Sequence, residues 1–354
     1  MKLHHVEFFV QDVEQYASDL EHAYGFQRIA HGEGGLRPGG RSAVLQRGSA
    51  VLLVTQGLEE EHPASAFVRR HGDGVGDLAL GVADAGGAYR AAVHSGARGV
   101  EEPRTLADGT VIASIRAFGD VIHTFVQPAQ DGTWTLPGFT IDEARREAAI
   151  AVDTGDVLEI DHFAVCLEAG TLDSTVDFYR EAVGFKEIFE EEIIVGAQGM
   201  ISKVVQSPSG AVTLTLIEPD VAREPGQIDR FLKDHDGSGI QHIAFRVDDA
   251  VLAVSQARDN GVVFLSTPAA YYRLMRERLE LSAHTVDELE RNSILVDEDH
   301  DGQLFQIFTR STHDRRTLFF EVIERVGATT FGSGNIKALY EAVEAEKTNG
   351  QVGA

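Results

Sequence analysis

Cysteine occurs once in this sequence, as Cys166, so no disulfide can close within the chain and its stability must come from packing, a metal or association. A reducing compartment fits that composition, and a cytoplasmic protein is the expectation. Basic residues are scarce: 31 Lys and Arg against 56 Asp and Glu leave a formal charge of −25. Such a charge repels phosphate backbones and anionic lipid, so no nucleic acid and no membrane is expected as a partner. Long hydrophobic runs are missing too. No segment approaches the roughly 20 apolar residues that span a bilayer, and the opening MKLHHVEFFVQDVEQ passes straight into alternating, strand-like sequence without the apolar segment of an export signal.

What the sequence does contain is a repeat within a repeat. Its 354 residues suit two domains of roughly 150 to 200 residues each. The stretch from His71 to Pro103 and that from His235 to Pro268 both read Gly-rich turn, strand, helix, Gly, strand, Pro. LHHVEFFVQDVEQYASDLEHAYGFQRI near the N-terminus likewise matches IDHFAVCLEAGTLDSTVDFYREAVGFKEI from Ile160. Each gives strand, amphipathic helix, Gly-Phe, strand. In the second of these helices Val176, Phe178, Tyr179 and Val183 recur at helical spacing, while Asp177, Arg180 and Glu181 can face water. Short alternating strands follow in each quarter, among them SAVLLVTQG from Ser49, GAVTLTLIEP from Gly210 and GQLFQIFT from Gly302. The expected fold class is α+β: four βαβββ modules, paired into two domains over residues 1–150 and 151–354. A Pro/Gly-punctuated stretch from Pro128 to Asp156 with one short helix separates them. The last module carries a Leu-rich insertion around Tyr271 to Arg291, and the chain closes on a helical face of Ile336, Leu339, Tyr340 and Val343.

If the modules repeat, equivalent strand positions recur at equal spacing. His162, His242 and Glu321 stand 80 and 79 residues apart, the two histidines early in first strands and the glutamate in the last strand of the last module. Alternation puts His162, Ala164 and Cys166 on one face and Phe163, Val165 and Leu167 on the other. A glutamate between Phe320 and Val322 is costly to bury unless paired, protonated or bound to metal. Two imidazoles and one carboxylate, with three adjacent positions left open, suit an Fe(II) oxygenase, one ion per chain. Taken singly, each histidine could be a satisfied core residue and Glu321 could pair with Arg325. The common spacing favours the metal. In the first half His5 matches His162, Asp77 falls where His242 stands, and His123 is placed near the Glu321 equivalent, so this half is expected to be scaffold or dimer-forming and to hold no metal. His71, His235, His284, His300 and His313 lie in polar turns or insertions and are expected at the solvated surface. Cys166 is expected as a buried, apolar-like residue, and GEGGLRPGG from Gly32 as a loop without a phosphate site.

Paired βαβββ modules with a Gly-Phe after each first helix resemble the vicinal oxygen chelate (glyoxalase-like) superfamily, which implies two open-barrel domains. From Gly184 onward the strings VGAQGMISKVVQSPSGAVTLTLIEP, GQIDRFLKDHDGSGIQHIAF, TPAAYY, LVDEDHDGQLFQIFT, RTLFFEVIER and FGSGNIKALYEAVE resemble the 4-hydroxyphenylpyruvate dioxygenase family and its sister group, the 4-hydroxymandelate synthases. That resemblance implies Fe(II) on His162, His242 and Glu321, with 4-hydroxyphenylpyruvate and O2 as substrates. Ser202, Thr215 and Gln306 are implied as polar substrate contacts, and Phe331 and Tyr340 as closing an aromatic slot under a C-terminal gate helix. Two positions separate the sister groups. Ile217 in TLTLIEP stands where homogentisate-forming relatives typically carry Asn, and Tyr340 stands where they typically carry Phe. Both match the mandelate-forming group, which implies attack on the benzylic carbon and supply of a peptide-antibiotic building block. Homogentisate formation, lyase or ring-cleavage chemistry on the same fold, and a ligand-sequestering protein of the bleomycin-resistance type are the alternatives. A homo-oligomer, most simply a dimer, is expected.

Overall fold

The structure is a computed structural model that describes residues 1–33, 37–129, 136, 138–151, 153–332 and 334–335. In the first half β1 (Lys2–Phe9), α1 (Val13–Tyr24), β2 (Gln27–Glu33), β3 (Gly40–Arg47) and β4 (Ala50–Gly57) form one module. After α2 (Pro63–His71) come β5 (Gly74–Gly81), α3 (Ala85–His94), β6 (Gly99–Thr105), β7 (Val111–Arg116) and β8 (Ile122–Gln127). The helix α4 (Glu143–Ile150) lies in the stretch between the halves. The second half repeats the order with β9 (Glu159–Cys166), α5 (Leu172–Phe178), β10 (Lys186–Val195), β11 (Gln198–Gln206), β12 (Thr213–Pro219) and α6 (Gln227–His235). It ends with β13 (Gly239–Arg246), α7 (Ala250–Asp259), the inserted α8 (Ala269–Arg278) and α9 (Val286–Asn292), then β14 (Leu295–Glu298), β15 (Gln303–Phe308) and β16 (Phe319–Val326).

Each half builds one eight-stranded sheet, in the orders β2-β3-β4-β1-β5-β8-β7-β6 and β10-β11-β12-β9-β13-β16-β15-β14. The central pairs β1/β5 and β9/β13 are antiparallel, and β4, β8, β12 and β16 flank them in parallel. The repeated Gly-Phe has a plain physical reason. Gly25 (φ 66) and Gly184 (φ 80) end their helices in the left-handed region that a side chain resists. The following Phe26 and Phe185, each 2% exposed, then drop into the core. In the second half the wide turn Tyr179–Val183 extends α5 and buries Tyr179 and Val183, as the helical spacing anticipates.

One apolar core runs through both halves. Phe8, Phe26, Phe118, Phe163, Tyr179, Phe185, Phe245 and Phe320 belong to the same cluster. The inserted α8 and α9 form a second cluster with α7, Phe305 and Val322. Among the described residues no helix is long and apolar enough to cross a membrane.

Two of the histidines expected at the surface are buried. His71 and His235, the first residues of the two matching repeats, stack with ring centroids 4.4 Å apart, and His71 Nδ1 lies 2.7 Å from the His235 carbonyl. The repeat thus brings its own two copies face to face at the junction, which the polar turns around them conceal. His284 is bound to Glu324 (2.7 Å) and His313 to the Asp73 carbonyl (3.0 Å). His300 alone of the five is well exposed, at 85% of its side chain.

Burial, reinforced by the charge of neighbouring His71, pushes His235 down to about 4. Between the ordinary value of 6.5 and about 4, the unfolded chain takes up a proton that the folded chain refuses. The group's contribution is therefore complete above pH 6.5 and lost as pH falls through this window, on the order of 3 kcal/mol in all. Asp77, which burial raises to about 7, works in the opposite sense, so the measurement is a difference. The melting temperature of the parent minus that of His235→Gln is expected to shrink as pH is lowered from 7 to 4.5; a constant difference would show that His235 is not held neutral.

Candidate metal centre

Register explains why three distant residues meet. On the concave face of the second sheet His162 of β9 pairs across from Ala244 of β13, and Ala244 pairs in turn with Glu321 of β16. His242 lies opposite Ala164. The two alanines, both fully buried, leave room for the ligand side chains beside them. A register shift between Ile240 and His242 interrupts the ladder at the site, the kind of irregularity that re-aims a side chain.

Glu321 Oε2 stands 3.2 Å from His242 Nε2 and 3.5 Å from His162 Nε2. The three donor atoms lie within 4.8 Å of one another. Metal–ligand bonds of roughly 2.1 Å at right angles put neighbouring donors roughly 3 Å apart, so the cluster needs little adjustment to hold a divalent ion. Glu321 is 2% exposed and its Oε1 has no hydrogen-bond partner among the described residues. An unpartnered carboxylate oxygen inside a core is expensive, and a cation between the imidazoles would satisfy it. The residues present therefore fit the metal that two histidines and a carboxylate imply.

Electrostatics point the same way. Burial alone would raise Glu321, but hydrogen bonds from His162 and then His242 hold it at about 2. Burial alone would lower His162, but Asp161 and Glu321 raise it to about 9. In His242 burial prevails and the value falls. One imidazolium balances one carboxylate here, and a divalent cation would displace that proton. Asp161 accepts from His162 Nδ1 at 2.8 Å. Burial works against its charge, but bonds from Arg325 and His162 keep it below the usual carboxylate range.

The triad opens into a cavity of about 430 Å³. Ser202, Thr215, Ile217, Gln306 and Phe331 line it with the three candidate ligands, so the structure brings all of these together. Thr215 Oγ1 and Gln306 Oε1 are buried without partners among the described residues, and Phe189, Phe308 and Phe319 complete an aromatic wall. Gln306 packs against Gly332 (φ 73), where a Cβ would fall on the amide. Tyr340 and the gate helix lie outside the described residues. Sequence reasoning passed over Asn335, which is 1% exposed, accepts from Tyr271 OH at 2.9 Å and faces the cavity. Its place two residues after the Gly-Ser of FGSGN gave no hint of that.

The surroundings of the site are equally definite. Arg325 does not pair with Glu321; it forks onto Asp161 at 2.7 and 2.8 Å. The residue equivalent to Glu321 in the first half is Thr124, next to His123, because Asp77 pairs with Ile122 as His242 pairs with Phe319. His123 consequently faces the other side, bound to the Leu78 carbonyl (3.0 Å) and Tyr179 OH (2.8 Å). On the concave side of that first sheet Arg37 enters from the glycine-rich loop. It donates to Glu7 (2.9 Å) and stands 3.5 Å from Asp77, which in turn is bonded to Thr124.

Two other donor clusters are occupied by the protein itself. Glu324 in Asp249/His284/Glu324 accepts from His284 and from the Ala250 amide at 2.7 Å each. Asp299 in Asp299/His300/Asp301 accepts backbone amides of Asp301, Gly302, Thr329 and Thr330. Cys166 is buried beside Ala164, and burial pushes its thiol up.

Comparison with known proteins bears on the fold and the family. A family model described as the Glyoxalase/Bleomycin resistance protein/Dioxygenase superfamily matches residues 2–120 and 159–307. The 4-hydroxyphenylpyruvate dioxygenase of Dictyostelium discoideum is 33% identical over 97% of this chain and 97% of its own length. That of Yarrowia lipolytica is 33% identical over 97% and 91%. A solved triple mutant of 4-hydroxymandelate synthase from Streptomyces coelicolor is 41% identical, covers 98% of both chains and superposes with a TM-score of 0.86.

Proposed function

Since the chain belongs to the glyoxalase/bleomycin resistance protein/dioxygenase superfamily, and within it to the family of 4-hydroxyphenylpyruvate dioxygenases and 4-hydroxymandelate synthases, we propose that it converts 4-hydroxyphenylpyruvate and O2 to 4-hydroxymandelate and CO2. The single observation that carries this reading is the cluster of His162, His242 and Glu321, with its unpartnered carboxylate oxygen, at the floor of a largely apolar cavity. Bound on those three residues, Fe(II) would supply the hold on a 2-oxo acid and the redox chemistry that activates O2.

The remaining work falls to the chain. Phe189, Phe308, Phe319 and Phe331 wall off water and give a planar ring a slot between aromatic faces. Thr215 and Gln306 offer their unpartnered oxygens, and Ser202 its hydroxyl, to the polar ends of the substrate. Ile217, 9% exposed and facing the cavity, gives the ring nothing to hydrogen-bond, where an amide would draw its hydroxyl or edge toward itself. An apolar side chain there leaves the ring free to lie with its benzylic carbon nearest the reacting centre, the arrangement that leads to 4-hydroxymandelate. One oxygen atom of O2 goes to the new carboxylate and the other to the benzylic carbon, and CO2 leaves.

The test is anaerobic loading with Fe(II), addition of 4-hydroxyphenylpyruvate and O2, and identification of the product by chromatography and mass. 4-Hydroxymandelate is expected. Homogentisate as the sole product would overturn the product assignment and spare the metal site, and no O2 consumption at all would remove the enzyme reading in favour of ligand sequestration. Ile217→Asn, alone or with Tyr340→Phe, is expected to divert part of the product to homogentisate, at a stability cost of roughly 1–3 kcal/mol for the buried amide. An unchanged product ratio would show that position 217 does not steer the ring. The proposal extends to a dimer formed through the first half, which light scattering would test; a monomer at micromolar concentration would remove it.

A further inference from the structure

We infer that Asp161 and Arg325 act as one positioning device for the metal ligand His162, fixing its ring and tying it to the segment that carries Phe331 over the cavity. This rests on the metal-site reading above and goes beyond its three ligands.

The geometry is a closed circuit. Asp161 Oδ1 accepts from His162 Nδ1 at 2.8 Å, which leaves Nε2 free to point at Glu321 and the metal position. A histidine whose outer nitrogen is bonded to a carboxylate has its tautomer and ring orientation set before any ion arrives. Asp161 is in turn gripped by both arms of the Arg325 guanidinium, at 2.7 and 2.8 Å, so it cannot rotate. The two side chains are only 8% and 11% exposed. Arg325 also donates to the carbonyls of Ala328 (3.2 Å) and Thr330 (2.6 Å) and lies 5.3 Å from the centre of the Phe331 ring. Phe331 then meets the edge of His162 at 5.3 Å, which returns the circuit to its start.

His242 shows what this device adds. Its Nδ1 has no partner among the described residues, and its ring is held by stacking on Phe319 (5.0 Å) and an edge contact with Phe308 (5.7 Å). Both rings reach Glu321 through Nε2, but only His162 is also locked by a hydrogen bond at its outer nitrogen, while the outer side of His242 is held by packing. Asp161 and Arg325 make the locked one, and they carry the lock to the aromatic wall of the same cavity.

The experiment titrates the full chain with Co(II), whose visible ligand-field absorption reports donor geometry independently of turnover. Asp161→Asn is expected to weaken Co(II) binding by roughly 10- to 100-fold and to alter the absorption spectrum. Arg325→Gln should weaken it in the parent and have no further effect in the Asp161→Asn background, because it acts through Asp161. The double variant leaves no buried charge unpaired, so it keeps the test available if Asp161→Asn alone folds poorly. Parental affinity and spectrum in Asp161→Asn, or an Arg325→Gln effect of equal size in both backgrounds, would overturn the inference. Failure of the underlying reading looks different: the parent chain takes up no Co(II), or takes it up equally well after Glu321→Ala. Failure of this inference alone leaves uptake dependent on Glu321 and indifferent to Asp161.

Discussion

Glu321→Ala is expected to lower affinity for Fe(II) or Co(II) on the order of a thousandfold or more and to abolish turnover, and also to destabilise the metal-free fold by roughly 3 kcal/mol. The first half of that expectation follows from donor count. Glu321 is the sole carboxylate of the cluster, both imidazoles reach toward its Oε2, and two neutral nitrogens alone hold a hard ferrous ion poorly. The second half follows from burial. Bonds from His162 and His242 outweigh the burial of this carboxylate and hold it at about 2, so taking it away leaves a buried imidazolium short of its anion. Calorimetric titration with metal, paired with thermal melts of the metal-free chains, separates the two effects. A variant that bound one equivalent with parental affinity would remove Glu321 from the site. A variant that lost affinity only because it had unfolded would show it in the melt.

Phe245→Ala is expected to have the largest effect on the fold, about 3–5 kcal/mol and a fall in melting temperature of roughly 10 °C. The ring is 1% exposed on the face of β13 opposite His242. It packs against Phe26 of the first half at 5.7 Å and Phe320 of the second at 5.1 Å. Because one ring serves both halves, calorimetry should show a single transition displaced as a unit. Two transitions, of which only the later moved, would mean that the halves do not share a core. A loss below about 1 kcal/mol would mean the ring is not tightly enclosed.

Much of this architecture was readable in the sequence because it is written twice. The Gly-Phe after each first helix, the matching stretches from His71 and His235, and the near-equal spacing of His162, His242 and Glu321 all report one module geometry. Ligands at the same register of adjacent strands must converge once the strands pair. The failures have equally definite causes. His123 is adjacent to the Glu321 equivalent, as expected, but in a strand one residue reverses the face, and the sequence match is too weak to fix that register. His71 and His235 sit in sequence that looks solvated, yet the symmetry of the repeat stacks them on each other, a contact no local pattern encodes. Arg37 is 30 residues from Glu7 in a loop whose glycines promise only conformational freedom. Arg325, weighed only as an alternative partner for Glu321, grips Asp161 instead. It shares a face with Glu321, but Asp161, the neighbour of a ligand, is the acid whose position allows a two-armed grip.

The guanidinium of Arg37 between Glu7 and Asp77 sets the two halves apart in how they balance charge. The first half answers its buried acids with a cation encoded in its own polypeptide, so its electrostatics close without any added ion. The second half, whose carboxylate faces two imidazoles, leaves that balance open to whatever divalent ion it would take up.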